Sequence, residues 1–215
     1  TRVVDLKQCV AVCKEHNILT VLDNSCAGFH QHVNVPVDVY CHSLSKFASG
    51  VGDVMGGAVM GSSEMVKKIK NANVWNTDVL SSHSAIEIWK NMQTYQLRID
   101  RQSSNALAIA RFLESHPGVT RVVYPGLESH PDHAIAREQM KDFGSVLAFD
   151  VKGSGADMKA VLDRLEIFKM AFGTGFTQSI ANPAWLFYAR SFPEAQQGNS
   201  AILETTIRLS VGIEP

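Results

Sequence analysis

Three short apolar segments, each ending at or carrying a polar or glycine-rich junction, constrain this chain more than any other feature. Residues 18–22 (Ile-Leu-Thr-Val-Leu) end at Asp23-Asn24, residues 37–42 end at Ser43-Leu44-Ser45-Lys46, and residues 54–60 carry the pair Gly56-Gly57. Apolar and β-branched content predicts strands there, and the near-helical spacing of Val4, Leu6, Val10 and Cys13 predicts a helix ahead of them. Strands that alternate with helices build an α/β sheet, and such a sheet keeps its ligand crevice at the carboxyl ends of its strands. Asp23 and Lys46 are thereby expected at one crevice.

The pattern continues to the C-terminus. Ser62-Ser63-Glu64 announces a helix over 65–70. Ile86, Trp89, Met92, Ala106, Ile109, Ala110 and Leu113 predict long helical structure over 81–115, broken near 98–104 and ended by His116-Pro117-Gly118. Beyond it, strands are expected at 119–124, 145–151 and 205–211, and helices at 133–140 and 156–165. The expected organisation is a large domain with a mostly parallel sheet and the connecting helix, residues 1–116, and a small α/β domain, residues 117–215.

A formal charge of -1 with 45% hydrophobic residues offers no basic field for nucleic acid, and no apolar run is long enough to span a bilayer. The first residues lack a secretory pattern. The expected setting is therefore the cytoplasm, with neither nucleic acid nor membrane as partner. Cys9, Cys13, Cys26 and Cys41 do not complete a zinc spacing and are expected as buried thiols. His30 and His32 have no carboxylate or cysteine at a supporting distance in the sequence, so no metal is expected. Residues 128–133 read as a connection into a proline-initiated helix.

A lysine at a crevice suits Schiff-base formation with an aldehyde, and the hydroxyls of Ser43 and Ser45 suit a phosphate. Asp23 adds a carboxylate able to keep a pyridine nitrogen protonated. Those are the requirements of pyridoxal 5'-phosphate (PLP).

Five stretches then carry a resemblance: Val21-Leu22-Asp23-Asn24, Ser43-Leu44-Ser45-Lys46-Phe47, Asp53-Val54-Met55-Gly56-Gly57, residues 124–131 (Tyr-Pro-Gly-Leu-Glu-Ser-His-Pro) and residues 207–214 (Ile-Arg-Leu-Ser-Val-Gly-Ile-Glu). In this order the sequence resembles the Cys/Met-metabolism, or transsulfuration, family of PLP-dependent enzymes, which includes cystathionine γ-synthase, cystathionine lyases and methionine γ-lyase. The resemblance implies a fold-type-I, aminotransferase-like architecture, a small amino-acid substrate and a homodimer or homotetramer. It further implies Lys46 as Schiff-base lysine and proton carrier, Asp23 as partner of the pyridine nitrogen, Ser43 and Ser45 as phosphate ligands, and Arg208 as clamp for the substrate α-carboxylate.

Two departures accompany it. Family members are nearly twice this length, so either a longer chain or a separate N-terminal-half polypeptide is expected to supply the stacking aromatic residue and further phosphate ligands. Where many lyases of the family carry Ser-Leu-Gly-Gly, this chain has Gly173, preceded by the apolar Phe172, and its Gly-Thr-x-Phe-Thr pattern is similar to the fungal cystathionine γ-synthase branch. The implied activity is γ-replacement on an activated homoserine. The alternatives are γ- or β-elimination from a C–S substrate, or a non-catalytic fragment or subunit.

Overall fold

In a computed structural model, which describes residues 2–74, 79–191 and 202–215 apart from the side chains of 189–191, helix α1 (Leu6–Glu15) begins where Asp5 accepts the Gln8 amide at 3.0 Å. It stops at Asn17, whose left-handed φ of 54° goes with a turn in which the Ile18 amide closes on the Cys13 carbonyl. Strand β1 (Val21–Asp23) then pairs in parallel with β2 (Val39–Ser43), Asp23 opposite Cys41. Strand β3 (Gly57–Gly61) pairs with β2 antiparallel, so the sheet expected to be mostly parallel is mixed. No crossover helix lies between β2 and β3. The chain turns back at the same end of the sheet, which dictates the antiparallel direction. That return contains one turn of π-helix, Leu44–Ala48, whose regularity breaks at Lys46 (φ -95°, ψ -112°).

Helices α2 (Ser63–Ala72) and α3 (Ser82–Met92) are capped by Ser62 and Ser81, which accept the Met65 and Ser84 amides. Helix α4 (Tyr95–Glu114) follows after only two residues. The helical break therefore falls at 93–94, and 98–104 is continuous helix. Arg98 and Gln102, polar residues that read as an interruption, point inward and are buried against backbone carbonyls. The helix serves both halves of the chain: Tyr95 and Ile99 pack with Phe47, while Ala106 and Ala110 enter the core of the second sheet.

That sheet is built from β4 (Val119–Val123), β5 (Val146–Val151), β6 (Lys169–Met170), β7 (Ile180–Pro183) and β8 (Thr206–Ser210), in the order β4-β5-β8-β7-β6. Its pairings are antiparallel except β6 with β7. Leu147, Phe149, Ile207 and Leu209 alternate inward to form its core. Around it lie α5 (His133–Gln139), α6 (Gly155–Leu162) and α7 (Ala184–Ser191). The two sheets divide at the end of α4, and we propose the domain boundary there, between 116 and 117. Contacts cross it: Arg2 grips Asp132, and Lys7 meets Glu138 at 2.5 Å.

The expectation of buried thiols is corrected. Cys9 and Cys26 are exposed, and Cys13 and Cys41 are half-buried. Helix α1 buries only Val10, so it offers its cysteines no deep face. No helix among the described residues is long and apolar enough to cross a membrane.

Candidate active site

Parallel neighbours end side by side, so β1 and β2 bring Asp23 and the Ser43–Lys46 segment to one end of the sheet. Ser25 ties the ends together: its amide donates to Asp23 Oδ1 at 3.0 Å, and its Oγ accepts the Ser43 amide at 2.8 Å. Hydrogen bonding from Ser25, hydroxyl first and amide second, holds the Asp23 carboxyl below the usual carboxylate range against partial burial, and the Lys46 charge adds to this. Asp23 is thus ionised at neutral pH. Lys46 Nζ donates to Cys26 Sγ at 3.9 Å. Ser45 Oγ accepts the Gly56 amide at 3.0 Å, and its own hydrogen remains able to donate.

Arg98 fixes the lysine segment from behind. Only 6% exposed, it donates Nη1 to the Phe47 carbonyl at 2.9 Å, Nη2 to the carbonyls of Ala48 (3.3 Å) and Asn91 (3.0 Å), and Nε to Thr94 Oγ1 at 3.2 Å. Burial pushes its pKa down. Gly50 makes room for it: φ is +74°, and a Cβ there would lie 2.4 Å from Arg98 Nη1.

A cavity of about 360 Å³ is lined by Asp23 at the end of β1 with Asn24 and Cys26 just beyond it, by Phe143 and Ser145 just ahead of β5, and by Arg208 of β8. Arg208 stands mid-strand in β8, opposite Ala148 and Asn182. Its Nη1 donates to the Gly173 carbonyl at 2.9 Å, and a guanidinium has further N–H groups for a carboxylate. Asp23 and Arg208 therefore meet at one cavity. Ser43, Ser45 and Lys46 do not line it; Lys46 adjoins it through Cys26. The donor set fits PLP: an ionised carboxylate for a protonated pyridine nitrogen, an amine for the aldehyde carbon and two hydroxyls for the phosphate.

Sequence reasoning missed several supports. His42, 5% exposed, stacks on Phe29 with ring centroids 4.1 Å apart, and burial lowers its pKa while Asp23 opposes. His30 does find a carboxylate: Nε2 meets Asp142 Oδ2 at 2.6 Å and Nδ1 meets the Tyr95 hydroxyl at 3.0 Å. Asp142 lies 112 positions away, beyond any local spacing. The available signal was Gly28, whose φ of +91° lets the Tyr95 hydroxyl approach within 2.6 Å of where a Cβ would stand. Residues 128–133 do lead into α5. There Asp132 takes Arg2 in a two-pronged contact, at 2.6 and 2.8 Å, with the Val3 amide at 2.9 Å.

A family model described as Cys/Met metabolism PLP-dependent enzyme matches residues 1–215. The chain is 35% identical to cystathionine beta-lyase of Coxiella burnetii, with 99% of this chain and 56% of that protein covered. It is 33% identical to L-methionine gamma-lyase of Pseudomonas putida, with 98% and 54% covered, and 32% identical to cystathionine gamma-synthase 1 of Nicotiana tabacum, with 99% and 40% covered. The crystal structure of cystathionine gamma synthase from Xanthomonas oryzae pv. oryzae in complex with aminoacrylate and cysteine superposes with a TM-score of 0.93 at 30% identity, covering 100% of this chain and 56% of that one. The chain spans about half the length of the curated relatives it matches.

Proposed function

The chain belongs to the Cys/Met-metabolism family of PLP-dependent enzymes and has that family's α/β, fold-type-I architecture; from that premise we propose that it carries the lysine, the ring-nitrogen carboxylate and the carboxylate clamp of a site for γ-replacement on an activated homoserine. One observation carries this reading: Asp23 and Arg208 line one cavity with Cys26, whose sulfur accepts Lys46 Nζ.

When bound, PLP supplies the electron sink that makes a Cα proton of an amino acid removable. Lys46 Nζ is the amine for the aldehyde carbon and the base that moves that proton. Asp23, ionised through Ser25, keeps the ring nitrogen protonated. Ser43 and Ser45 donate to the phosphate. Arg208 takes the substrate α-carboxylate on the N–H groups that the Gly173 carbonyl leaves unused, and its planar fork suits that anion. The replacement exchanges the γ-substituent for a thiol and yields a thioether. Apolar Phe172 and Gly173, in place of a serine-bearing turn, support replacement. The relatives named as lyases, 33–35% identical, support γ- or β-elimination as the second reading. A homodimer or homotetramer, or association with a separate N-terminal-half polypeptide, and a cytoplasmic setting complete the proposal.

Borohydride reduction of the PLP-loaded protein, with any partner polypeptide present, should fix a pyridoxyl group on Lys46. Its absence there would favour a non-catalytic subunit. Incubation with an activated homoserine and cysteine should give the thioether; keto acid and ammonia in its place would establish elimination.

A further inference from the structure

The cavity holds a second nucleophile, which the replacement reaction does not use. Cys26 lines it beside Asp23, its thiol is free and exposed, and its Sγ accepts Lys46 Nζ at 3.9 Å. The backbone on both sides of this contact is anchored. Cys26 sits in a turn closed by Asn24, whose carbonyl accepts the Ala27 and Gly28 amides at 3.1 and 3.0 Å and whose Nδ2 donates to the Gly28 carbonyl at 2.9 Å. Asn24 is itself 2% exposed and faces His32 Nδ1 through Oδ1 at 2.8 Å. On the other side, the Lys46 carbonyl accepts the Gly50 amide at 2.7 Å, and Arg98 holds the carbonyls of Phe47 and Ala48. Ser25 joins the two segments through its Oγ, which accepts the Ser43 amide at 2.8 Å.

Side chains presented in this way react with each other as one molecule, so a bond between them forms ahead of the same reaction with a free species. A thiol and an amine need an oxidant before they can join. Oxidation starts at solvent-accessible thiols, and the sulfenic acid it produces condenses with a neighbouring nitrogen to give a sulfenamide. Cys9, the other exposed cysteine, lies on α1. Cys26 has the lysine amine at its sulfur.

We propose that Cys26 and Lys46 form a reversible oxidative cross-link, in which a peroxide converts the exposed Cys26 thiol to a sulfenic acid and Lys46 Nζ closes on that sulfur as a sulfenamide. In the first step the O–O bond breaks, an S–O bond forms and one water leaves. In the second, unprotonated Nζ attacks sulfur; S–N forms as S–O breaks, and the departing hydroxyl takes a proton from nitrogen as a second water. Sulfur gives up two electrons and the peroxide takes them. A lysine joined to sulfur has no amine for an aldehyde, so the cross-link blocks cofactor loading, and PLP already on Lys46 keeps the amine from sulfur. This consequence rests on the PLP reading of Lys46; the cross-link itself does not.

The test treats the full chain, PLP-free and PLP-loaded, with hydrogen peroxide, any partner polypeptide being present, and maps its peptides by mass. The PLP-free chain should yield a peptide pair joined between Cys26 and Lys46, lighter by two hydrogens than the separate peptides together, and dithiothreitol should release both. The PLP-loaded chain should give no joined pair, and dimedone should label Cys26 there instead. Cys9→Ser should keep the joined pair and Cys26→Ser should lose it. Borohydride trapping of PLP on Lys46 should fall by the cross-linked fraction after peroxide and return after dithiothreitol. Oxidation of Cys26 to a sulfinic acid or to a disulfide, with no joined pair in the PLP-free chain, would overturn the proposal and leave the PLP reading standing. A joined pair in equal yield with and without PLP, in a chain whose Lys46 is never trapped, would uphold the cross-link and remove the PLP reading.

Discussion

Replacing Arg98 with methionine separates the support of the lysine segment from its chemistry. The side chain is 6% exposed and reaches three backbone carbonyls and one hydroxyl oxygen. Asn91 O retains the Thr94 amide when the guanidinium is gone, whereas the Phe47 and Ala48 carbonyls, on residues 3% and 0% exposed, lose the donor that reaches them from α4. Each buried acceptor left unpaired costs about 1–3 kcal/mol. Removing a buried cation returns part of that, because its desolvation no longer has to be met. The expected net loss is about 2–4 kcal/mol, about 1–3 for Arg98→Lys, which keeps one multi-donor head without the fork. Urea unfolding of the full chain measures it as a fall in midpoint at constant slope. Pyridoxyl trapping at Lys46 should fall in parallel, since Phe47 is the next residue. Arg101→Met, on the exposed face of the same helix, is the control. An Arg98→Met midpoint equal to that of Arg101→Met, with full trapping at Lys46, would refute the claim that this arginine holds the segment.

Two further predictions concern backbone and pH. Gly175 has φ +79°, and a Cβ there would lie 2.7 Å from Phe47 Cδ1 and 2.8 Å from Phe47 N, whereas Gly144 at φ +73° has no atom within 4 Å. Gly144→Ala should therefore cost only the conformational penalty, about 1 kcal/mol, and Gly175→Ala about 2–4 kcal/mol in the same urea assay; equal losses would show that the Phe47 contact relaxes freely. Hydrogen bonding from Arg2 lowers the Asp132 carboxyl to about 2. A depressed folded-state pKa contributes stability that is present above about pH 4 and is lost as pH falls toward 2. The shift corresponds to about 2 kcal/mol, reduced to about 1 kcal/mol because Arg2 is 61% exposed and solvent screens the pair. Wild type should lose that increment between pH 5 and 2 and Asp132→Asn should not; parallel pH curves for the two proteins would remove the assignment.

The strands that place the chemistry were legible because each is an apolar run stopped by a chemically conspicuous residue, Asp23 in one and Ser43 to Lys46 in the next. Strand direction was not legible for β3, since antiparallel return depends on the path of residues 44–56 and not on the composition of the strand. Strands β6 and β7 went unread for a different reason. The first is two residues long, and the second, Ile-Ala-Asn-Pro, is buried at every position, so neither shows the alternation that marks a strand with one wet face. The helical break was misplaced because Arg98 and Gln102 look solvent-seeking, yet both side chains are buried and donate to backbone carbonyls.

The same asymmetry runs through the site. Groups proposed to meet a cofactor or substrate, Asp23, Lys46 and Arg208, belong to residue types whose chemistry names them. The groups that hold the lysine segment and its cavity in shape do so through contacts with no local signature: Arg98 to the Phe47 carbonyl 51 positions back, and Asn24 to His32 through a fold of the β1–β2 loop. Gly50 and Gly175 mark the first of these in the sequence only as glycines. Their meaning appears when a Cβ placed on them strikes Arg98 and Phe47. Lys46 is therefore specified twice over, by a motif that identifies it and by a set of backbone acceptors and small residues that decides where its amine can stand, and substitutions in the second set should alter trapping at Lys46 without touching any group proposed to bond the cofactor.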